Sequence, residues 1–225
     1  MTVAVLIPYR DSDPIRRRNY NWCEARWRAI LPGAQVIQGT SPTGPFNRSA
    51  AINSARKAIT TETDVLVVAD ADTHGDPAAI KYCIGQCSVN DVAPWYLPYD
   101  RYYNLTDTCS QNIVAQRNNS DILESMFEWE HRITSPPVSP YGDPISGILI
   151  MRREAFDLVG GFDEMYKGWG YEDRDMADRL DELWGPHHRV KSFVFHLWHP
   201  VAGDPFNSQE CKDNAERYQR AYRHP

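Results

Sequence analysis

Residues 65–72 read Val65-Leu66-Val67-Val68-Ala69-Asp70-Ala71-Asp72, and this stretch decides the fold class. Its first five side chains form an unbroken apolar run, which is typical of a strand buried on both faces of a sheet. Two carboxylates follow where the strand should leave the core. Because side chains two apart on an extended chain point the same way, we expect Asp70 and Asp72 to converge. Taken alone, the pair fits an acidic turn at a strand end equally well.

Strands and helices alternate on both sides of this run. Apolar runs predict further strands at 3–7, 35–37, 145–151 and 190–195. Helical spacing and proline placement predict helices at 14–30, 47–59, from 77 onward, 172–184 and 208–223. The pattern predicts one α/β domain of residues 1–225, with a mostly parallel central sheet flanked by helices. The aromatic stretch from Trp95 to Tyr103 could stack on sugar rings, but a core strand is favoured.

The composition limits the classes of partner. The chain has 225 residues and a formal net charge of -6, so as a whole it does not attract nucleic acid or anionic membrane. No apolar run reaches the roughly 18 residues that a membrane span needs, and no signal peptide is evident. Five loosely spaced cysteines are typical of reduced thiols. We therefore expect a cytoplasmic protein without a membrane span. The basic run at residues 16–18 favours a solvated helix face.

A second constellation is Gly168-Trp169-Gly170-Tyr171-Glu172-Asp173-Arg174-Asp175. Acids at the start of a helix are favoured by its dipole, so capping alone accounts for them. A tryptophan between glycines needs a further reason, because an exposed indole is costly unless it covers something. A mobile lid followed by a carboxylate general base fits this pattern.

Two further segments carry chemistry. His196-Leu197-Trp198-His199-Pro200 follows a predicted strand, and either histidine could offer a metal ligand, although a lone histidine is more often structural. Phe46-Asn47-Arg48-Ser49-Ala50-Ala51-Ile52-Asn53 opens a predicted helix, whose backbone amides and Arg48 suit a diphosphate or a base. An N-capped amphipathic helix accounts for this second segment equally well.

The ordered set of motifs resembles the GT-A glycosyltransferases. Ile7-Pro8-Tyr9-Arg10, the helix of Arg48 and the Asp-Ala-Asp of residues 70–72 look like the inverting, chondroitin-polymerase-like members. Residues 147–150, 160–163 and 168–175 follow the order of the galactosyltransferase catalytic segment. The resemblance covers roughly residues 3–75 and 143–210. It departs from the family at Tyr171, where a glycine is usual, and at Arg174, where an acid is usual.

The resemblance implies a site for a nucleotide-sugar donor, with UDP as the nucleotide and a hexose or N-acetylhexosamine as the sugar. Residues 1–92 would form the nucleotide-sugar-binding half, and residues 93–225 the acceptor-binding and catalytic half. The implied donor contacts are Pro8, Tyr9, Asp11, Arg48, Asp70 and Trp169.

The same resemblance implies the metal and catalytic groups. Asp72 and His199 would bind Mn²⁺ or Mg²⁺, with His196 in reserve. Asp173 would be the general base, and Glu172 beside it would grip acceptor hydroxyls.

Other functions remain open at this stage. Asp70-Ala71-Asp72-Thr73 also matches the nucleophile motif of haloacid-dehalogenase-type phosphohydrolases, with Asp70 as nucleophile, although two predicted strands precede it. A metal-dependent nucleotidyltransferase and a catalytically inactive carbohydrate-binding protein are the remaining alternatives. The acceptor could be a glycan, a small molecule, a protein or a hydroxylated DNA base, and the acidic net charge disfavours DNA.

Overall fold

The structure, a computed structural model, describes residues 1–89, 95–116, 122, 126, 132–133, 144–201 and 207–222. The helices in this part of the chain are α1 (Pro14–Ile30), α2 (Arg48–Lys57), α3 (Pro77–Cys87), α4 (Asp107–Ala115), α5 (Arg153–Leu158), α6 (Glu172–Trp184) and α7 (Gln209–Tyr222). The strands are β1 (Val3–Pro8), β2 (Gln35–Gly39), β3 (Val65–Ala69), β4 (Thr73–Gly75), β5 (Trp95–Leu97), β6 (Arg101–Asn104), β7 (Arg132–Ile133), β8 (Ile148–Arg152), β9 (His188–Arg189) and β10 (Phe193–His196).

A six-stranded central sheet has the order β2-β1-β3-β8-β5-β9. Strand β3 lies inside it, with Val67 paired to Val5 of β1 on one side and to Ile150 of β8 on the other. Every residue of β3 is buried, which explains its unbroken apolar run. Five strands run in one direction, and β8 alone is antiparallel to its neighbours β3 and β5. The predicted mostly parallel sheet flanked by helices is thus confirmed, with one reversed strand in its middle.

A second, four-stranded sheet of order β4-β10-β6-β7 was not predicted from the sequence. Its strands hold only two to four residues each, too few for a hydrophobic period to stand out. The aromatic stretch from Trp95 to Tyr103 supplies β5 and β6, and the rings of Trp95 and Tyr99 are at most 1% exposed. The core-strand interpretation of this stretch is therefore confirmed.

The longer helices begin where their capping residues indicate. Asp13 accepts hydrogen bonds from the first turn of α1, and Asn47 accepts one from the first turn of α2. Helix α6 begins at Glu172, as expected, but directly after a left-handed residue, Tyr171. The shorter α4 and α5 escaped prediction because six to nine residues show little periodicity. None of the described helices combines the length and apolarity that crossing a membrane requires.

Candidate functional site

Three side chains from distant parts of the chain meet at one carboxylate. The Nε2 atoms of His196 and His199 each lie 3.3 Å from an oxygen of Asp72. One ligand atom from each of the three residues falls within 4.8 Å of the others. A carboxylate oxygen and two imidazole nitrogens are a suitable donor set for a divalent transition metal. The group therefore fits the metal site expected from Asp72 and His199, and it adds His196 on equal terms.

The small sheet brings these three residues together. Strand β4 follows Asp72 directly and runs antiparallel to β10, where Thr73 pairs with His196. Leu197 N donates to Asp72 O over 2.7 Å and holds the two segments together beyond the last strand pair. The cluster thus lies where the chain passes from β3 of the central sheet to β4 of the small sheet.

Burial and pairing set the protonation of this cluster. Burial raises the pKa of Asp72, but the two histidines and Arg16 outweigh it and lower that pKa to about 2. Burial lowers the pKa of His199, and the Asp72 carboxylate offsets this only in part. For His196 the same carboxylate wins over burial and raises the pKa. The carboxylate is therefore ionised and able to bind a cation across the neutral pH range.

The two carboxylates of the Asp-Ala-Asp motif have different partners. Strand β3 ends at Ala69, and residues 70–73 turn, with Thr73 N donating to Asp70 O over 3.3 Å. The expectation of an extended chain that carries both carboxylates side by side is therefore wrong, because a turn is needed to start the small sheet. While Asp72 faces the histidines, Asp70 accepts from Nε of Arg48 over 2.8 Å.

The guanidinium of Arg48 joins the donor side of the site to the start of α6. Its Nη2 lies 2.7 Å from Asp70 Oδ1, and its Nη1 lies 2.6 Å from Asp173 Oδ1 and 3.7 Å from Glu172 Oε1. Burial opposes the charge on Arg48, but the surrounding carboxylates outweigh it and raise the pKa of the guanidinium. One buried cation therefore holds three carboxylates drawn from two segments more than 100 residues apart.

Glu172 is a carboxyl of this group with a raised pKa. It is buried, and its burial together with the charge of Asp173 raises its pKa to about 7, although Arg48 acts in the opposite direction. A carboxyl with a pKa near neutrality can hold or release a proton at working pH. The pair at the start of α6 thus combines an Arg-bound carboxylate with a carboxyl that can carry a proton.

A pair of amide hydrogen bonds docks the segment before α6 onto α2. Asn53 Nδ2 donates to Phe162 O over 2.8 Å, and Phe162 N donates to Asn53 Oδ1 over 3.0 Å. At Gly161 a Cβ atom would come within 2.7 Å of Asn53 Oδ1, and φ is +75°. A side chain at this position would push the amide away, which accounts for the glycine in the sequence. Arg48 lies one turn earlier on α2, so this contact helps to bring it to Asp173.

The loop before α6 presents Trp169 to solvent on an unusual backbone. Gly168, Gly170 and Tyr171 have φ values of +69°, +98° and +73°. Trp169 is 43% exposed. Asn214 of α7 donates to the backbone oxygens of residues 167, 169 and 170 over 2.9, 3.3 and 3.0 Å. The loop is therefore tethered through its backbone, while its indole stands at the surface beside the carboxylate pair.

The expected nucleoside contacts lie at the carboxyl end of β1. Pro8 ends the strand, and the ring of Tyr9 stacks on that of Tyr20 with 4.2 Å between centroids. The hydroxyl of Tyr9 donates to Asp11 over 3.3 Å, and Asp11 also lies 2.6 Å from Arg17. Strands β1 and β3 are parallel neighbours, so these residues share a sheet edge with the Asp-Ala-Asp turn.

Sequence reasoning missed Arg16. The basic run at residues 16–18 was expected to be a solvated face, yet Arg16 Nη1 lies 3.9 Å from Asp72 Oδ2. Arg17 pairs with Asp11 and is exposed, so the expected solvated face holds for Arg17, while Arg16 faces an acid of the site. Their place in the first turn of α1, at the carboxyl end of β1, was the signal that could have revealed them.

Comparison with known proteins agrees with this arrangement. A family model described as the N-terminal domain of galactosyltransferase matches residues 134–199, which is well under half of the chain. No curated protein matches. The catalytic domain of Drosophila β1,4-galactosyltransferase 7, solved with xylobiose, superposes with a TM-score of 0.56 at 15% identity, covering 96% of this chain and 80% of that one. The chain has the GT-A fold.

Two further solved structures share this GT-A fold. A mutant of the same Drosophila enzyme, solved with manganese, UDP-Gal and xylobiose, has a TM-score of 0.57 at 17% identity, covering 93% of this chain and 78% of that one. Glucosyl-3-phosphoglycerate synthase of M. tuberculosis has a TM-score of 0.56 at 12% identity, covering 97% and 80%. Within the GT-A fold of the present chain, the matched family segment contains Trp169, the carboxylate pair and both histidines. Asp72 and Arg48 lie outside it and contact it through the side chains described above.

Proposed function

We propose that the chain is a metal-dependent, inverting glycosyltransferase that moves a hexose or N-acetylhexosamine from a UDP-sugar to an acceptor hydroxyl. One observation carries the proposal: Arg48 bridges Asp70, two residues from the metal cluster, to Asp173 at the start of α6. Asp70 thus lies beside the residues that would bind the leaving diphosphate through a metal, and Arg48 connects it to Asp173, which would take the proton.

The metal cluster favours Mn²⁺ over Mg²⁺. Magnesium prefers an octahedron of oxygen atoms, whereas two of the three ligands here are imidazole nitrogens. Asp72, His196 and His199 would hold a divalent cation, which would act as a Lewis acid and offset charge on the departing diphosphate. Arg16 lies 3.9 Å from Asp72, where it adds positive charge.

The donor-binding assignments follow the sheet edge. Pro8, Tyr9 and Asp11 end β1 and would hold the nucleoside, in keeping with ligand binding beyond the carboxyl ends of parallel strands. Asp70 would lie near the ribose, with Arg48 against it. Trp169 would close over the donor, since its ring is exposed on a glycine-flanked loop next to the carboxylates.

The carboxylate pair would perform the chemistry. As the acceptor oxygen attacks the anomeric carbon, Asp173 takes the proton of the hydroxyl and the bond from that carbon to the diphosphate breaks. Attack on the face opposite the diphosphate inverts the anomeric centre, so an α-linked donor gives a β-glycoside. Glu172, whose pKa is near 7, can donate or accept a hydrogen bond to a neighbouring acceptor hydroxyl.

The surface near Glu172 and Asp173 indicates which class of acceptor the chain would use. Trp169 offers an apolar face of the kind on which sugar rings stack. A carbohydrate or other polyhydroxylated acceptor suits this surface and the net charge of -6 better than DNA does.

A donor panel tests the proposal against its alternatives. UDP release from UDP-glucose, UDP-galactose and their N-acetyl forms is measured with Mn²⁺, with Mg²⁺ and with a chelator. We expect release with at least one donor, more with Mn²⁺ than with Mg²⁺, and none with the chelator or in Asp72→Asn. Sugar binding without release would favour the carbohydrate-binding protein. Phosphate release from a phosphomonoester, lost in Asp70→Asn, would favour the phosphohydrolase.

A further inference from the structure

The segment that carries both histidines has its backbone held by two side chains from helices that are remote in sequence. Trp198 N donates to Ser110 Oγ of α4 over 2.8 Å. Trp198 O accepts from Asn19 Nδ2 of α1 over 3.0 Å. Residues 197–199 belong to no helix or strand, so no regular pairing supplies these two hydrogen bonds.

Both side chains are fully buried. Asn19 and Ser110 have 0% exposure, although each sits within a helix, where neither residue type is favoured. The amide of Asn19 is itself oriented, because its Oδ1 accepts from Nε and Nη2 of Arg18 over 3.1 and 3.0 Å. Two buried polar side chains thus meet the donor and the acceptor of a single residue, Trp198, which lies between the two metal-binding histidines.

The neighbouring backbone groups are held as well. Leu197 N donates to Asp72 O, and His196 O accepts from Leu105 N over 2.9 Å. These four backbone contacts between His196 O and Trp198 O therefore lead to four different residues outside the segment. They matter for the segment because an unpaired backbone group in a buried segment is costly.

We propose that Asn19 and Ser110 are positioning residues for the metal site: they fix the peptide of Trp198 so that His196 and His199 present both Nε2 atoms to Asp72. This inference rests on the proposed metal site. Groups that orient metal ligands without touching the metal typically change its affinity about 10- to 100-fold when removed. A merely stabilising role for the two side chains would lower the melting temperature and leave the metal affinity of the folded protein unchanged.

The chain offers a matched control for each side chain. Ser49 is also 0% exposed and helical, but its hydroxyl has no hydrogen-bond partner in the structure. Asn214 is also a buried helical asparagine that holds a loop backbone, but it holds the loop of Trp169. The variants Ser110→Ala and Asn19→Leu are therefore compared with Ser49→Ala and Asn214→Leu.

The experiment measures Mn²⁺ binding to the folded chain by electron paramagnetic resonance of the free ion, with circular dichroism and thermal melting on each variant. We expect the Kd for Mn²⁺ to rise about 10- to 100-fold in Ser110→Ala and Asn19→Leu, and to stay at the wild-type value in both controls. If Asn19→Leu does not fold, the smaller Ser110→Ala change decides.

Two results would overturn the inference, and only one of them would also contradict the proposed function. Wild-type Mn²⁺ affinity in a folded Ser110→Ala variant would end the positioning role and leave the proposed function intact. Absence of Mn²⁺ binding by the wild-type chain would remove the metal site, the proposed mechanism and this inference together.

Discussion

The metal turn, residues 196–199, and the lid loop, residues 167–171, are each held by a buried asparagine from a distant helix. They differ in how the rest of the backbone is held and in how exposed their side chains are. In the metal turn Leu197 is fully buried, and the four backbone contacts described above come from Asp72, Leu105, α4 and α1. In the lid loop Trp169 stands 43% exposed, and Asn214 of α7 donates to three backbone oxygens. One loop is held from four places in the chain, while the other is held against α7 through its backbone.

The difference separates two tasks in one site. Metal ligands must hold a set geometry before the ion arrives, so their backbone is over-determined. A lid has to open for the donor and close over it, and glycines at 168 and 170 allow the required backbone change. We infer that the lid moves on donor binding without disturbing the metal ligands, because the side-chain hydrogen bonds described for the two loops come from different helices.

The largest expected effect tests whether the lid side carries the chemistry. Asp173→Asn keeps the size of the side chain and one oxygen that can accept from Arg48, but it cannot take the proton of the acceptor hydroxyl. Sugar transfer should fall about 10²- to 10⁴-fold, with the affinity for UDP and Mn²⁺ little changed. Single-turnover transfer and calorimetry measure the two quantities.

The contradicting result is near-normal transfer in Asp173→Asn, which would reduce the pair to a helix cap, since Asn also caps well. An α-linked product from an α-linked donor, identified by the anomeric proton coupling in NMR, would likewise contradict direct inversion.

The next effect tests the metal side. Asp72→Asn removes the charge that both histidines face, so Mn²⁺-dependent binding of UDP should weaken by at least about 10- to 100-fold. Calorimetry with and without Mn²⁺ measures this, and the wild-type advantage given by Mn²⁺ should vanish. His187→Ala is the matched control, because His187 does not belong to this cluster. Its Nδ1 lies 3.0 Å from Asp181 Oδ2. Equal UDP affinity in all cases would leave no role for a metal.

A smaller effect should appear as a pH dependence of stability. The folded pKa of Glu172 is raised to about 7, above the unfolded value of about 4.3. Between these values the folded state binds the proton more tightly, so this group stabilises the fold below about pH 4 and its contribution is lost as pH rises to about 7. Glu172→Gln removes this loss, and its free energy of unfolding should therefore gain on the wild type as pH rises from about 4 to about 7.

Urea unfolding at a series of pH values measures that difference. Glu182→Gln, an exposed position on the same helix, is the control and should follow the wild type at every pH. If the difference in free energy of unfolding between Glu172→Gln and wild type stays constant with pH, burial does not raise the pKa of Glu172 and the prediction is wrong.

The smallest effect concerns Tyr171, which among the described residues is the one non-glycine with positive φ. Its ring lies 5.4 Å from that of Tyr218, so Tyr171→Ala loses this contact and keeps the backbone strain. Tyr171→Gly loses the same contact and relieves strain of about 1–2 kcal/mol. The glycine variant should therefore be more stable than the alanine variant by about 1 kcal/mol, the reverse of the usual order in a helix. Denaturant unfolding of both variants measures the sign.

Much of the fold was predictable because its long elements carry strong local signals. The run of β3 and the helices α1 and α6 agree with the sequence-based bounds. The small sheet was not predictable, since its pairing of Thr73 with His196 joins residues far apart in the chain. The candidate residues were found through motifs, and their assignments to donor, metal and catalysis stay predictions.

The contacts among those residues could not be found from the sequence. No motif shows that Arg48 would reach Asp173, or that Arg16 would face Asp72. Both contacts depend on side chains that reach across elements, and spacing along a strand or helix says nothing about such distances. The division into a donor half and an acceptor half also stays a prediction. Strands from both halves share the central sheet, so the sheet itself does not mark a boundary between them.

The reversed strand β8 has a consequence for biosynthesis. Strand β3 is completed on one side by β1, which is made early, and on the other by residues 148–152. During translation the free edge of Val65–Ala69 therefore stays unpaired until that late segment has left the ribosome. An exposed apolar strand edge is a template for pairing with other chains. Truncations that end before residue 148 should accordingly aggregate or remain bound to chaperones, and residues 1–92 cannot mature ahead of the segment that completes their sheet.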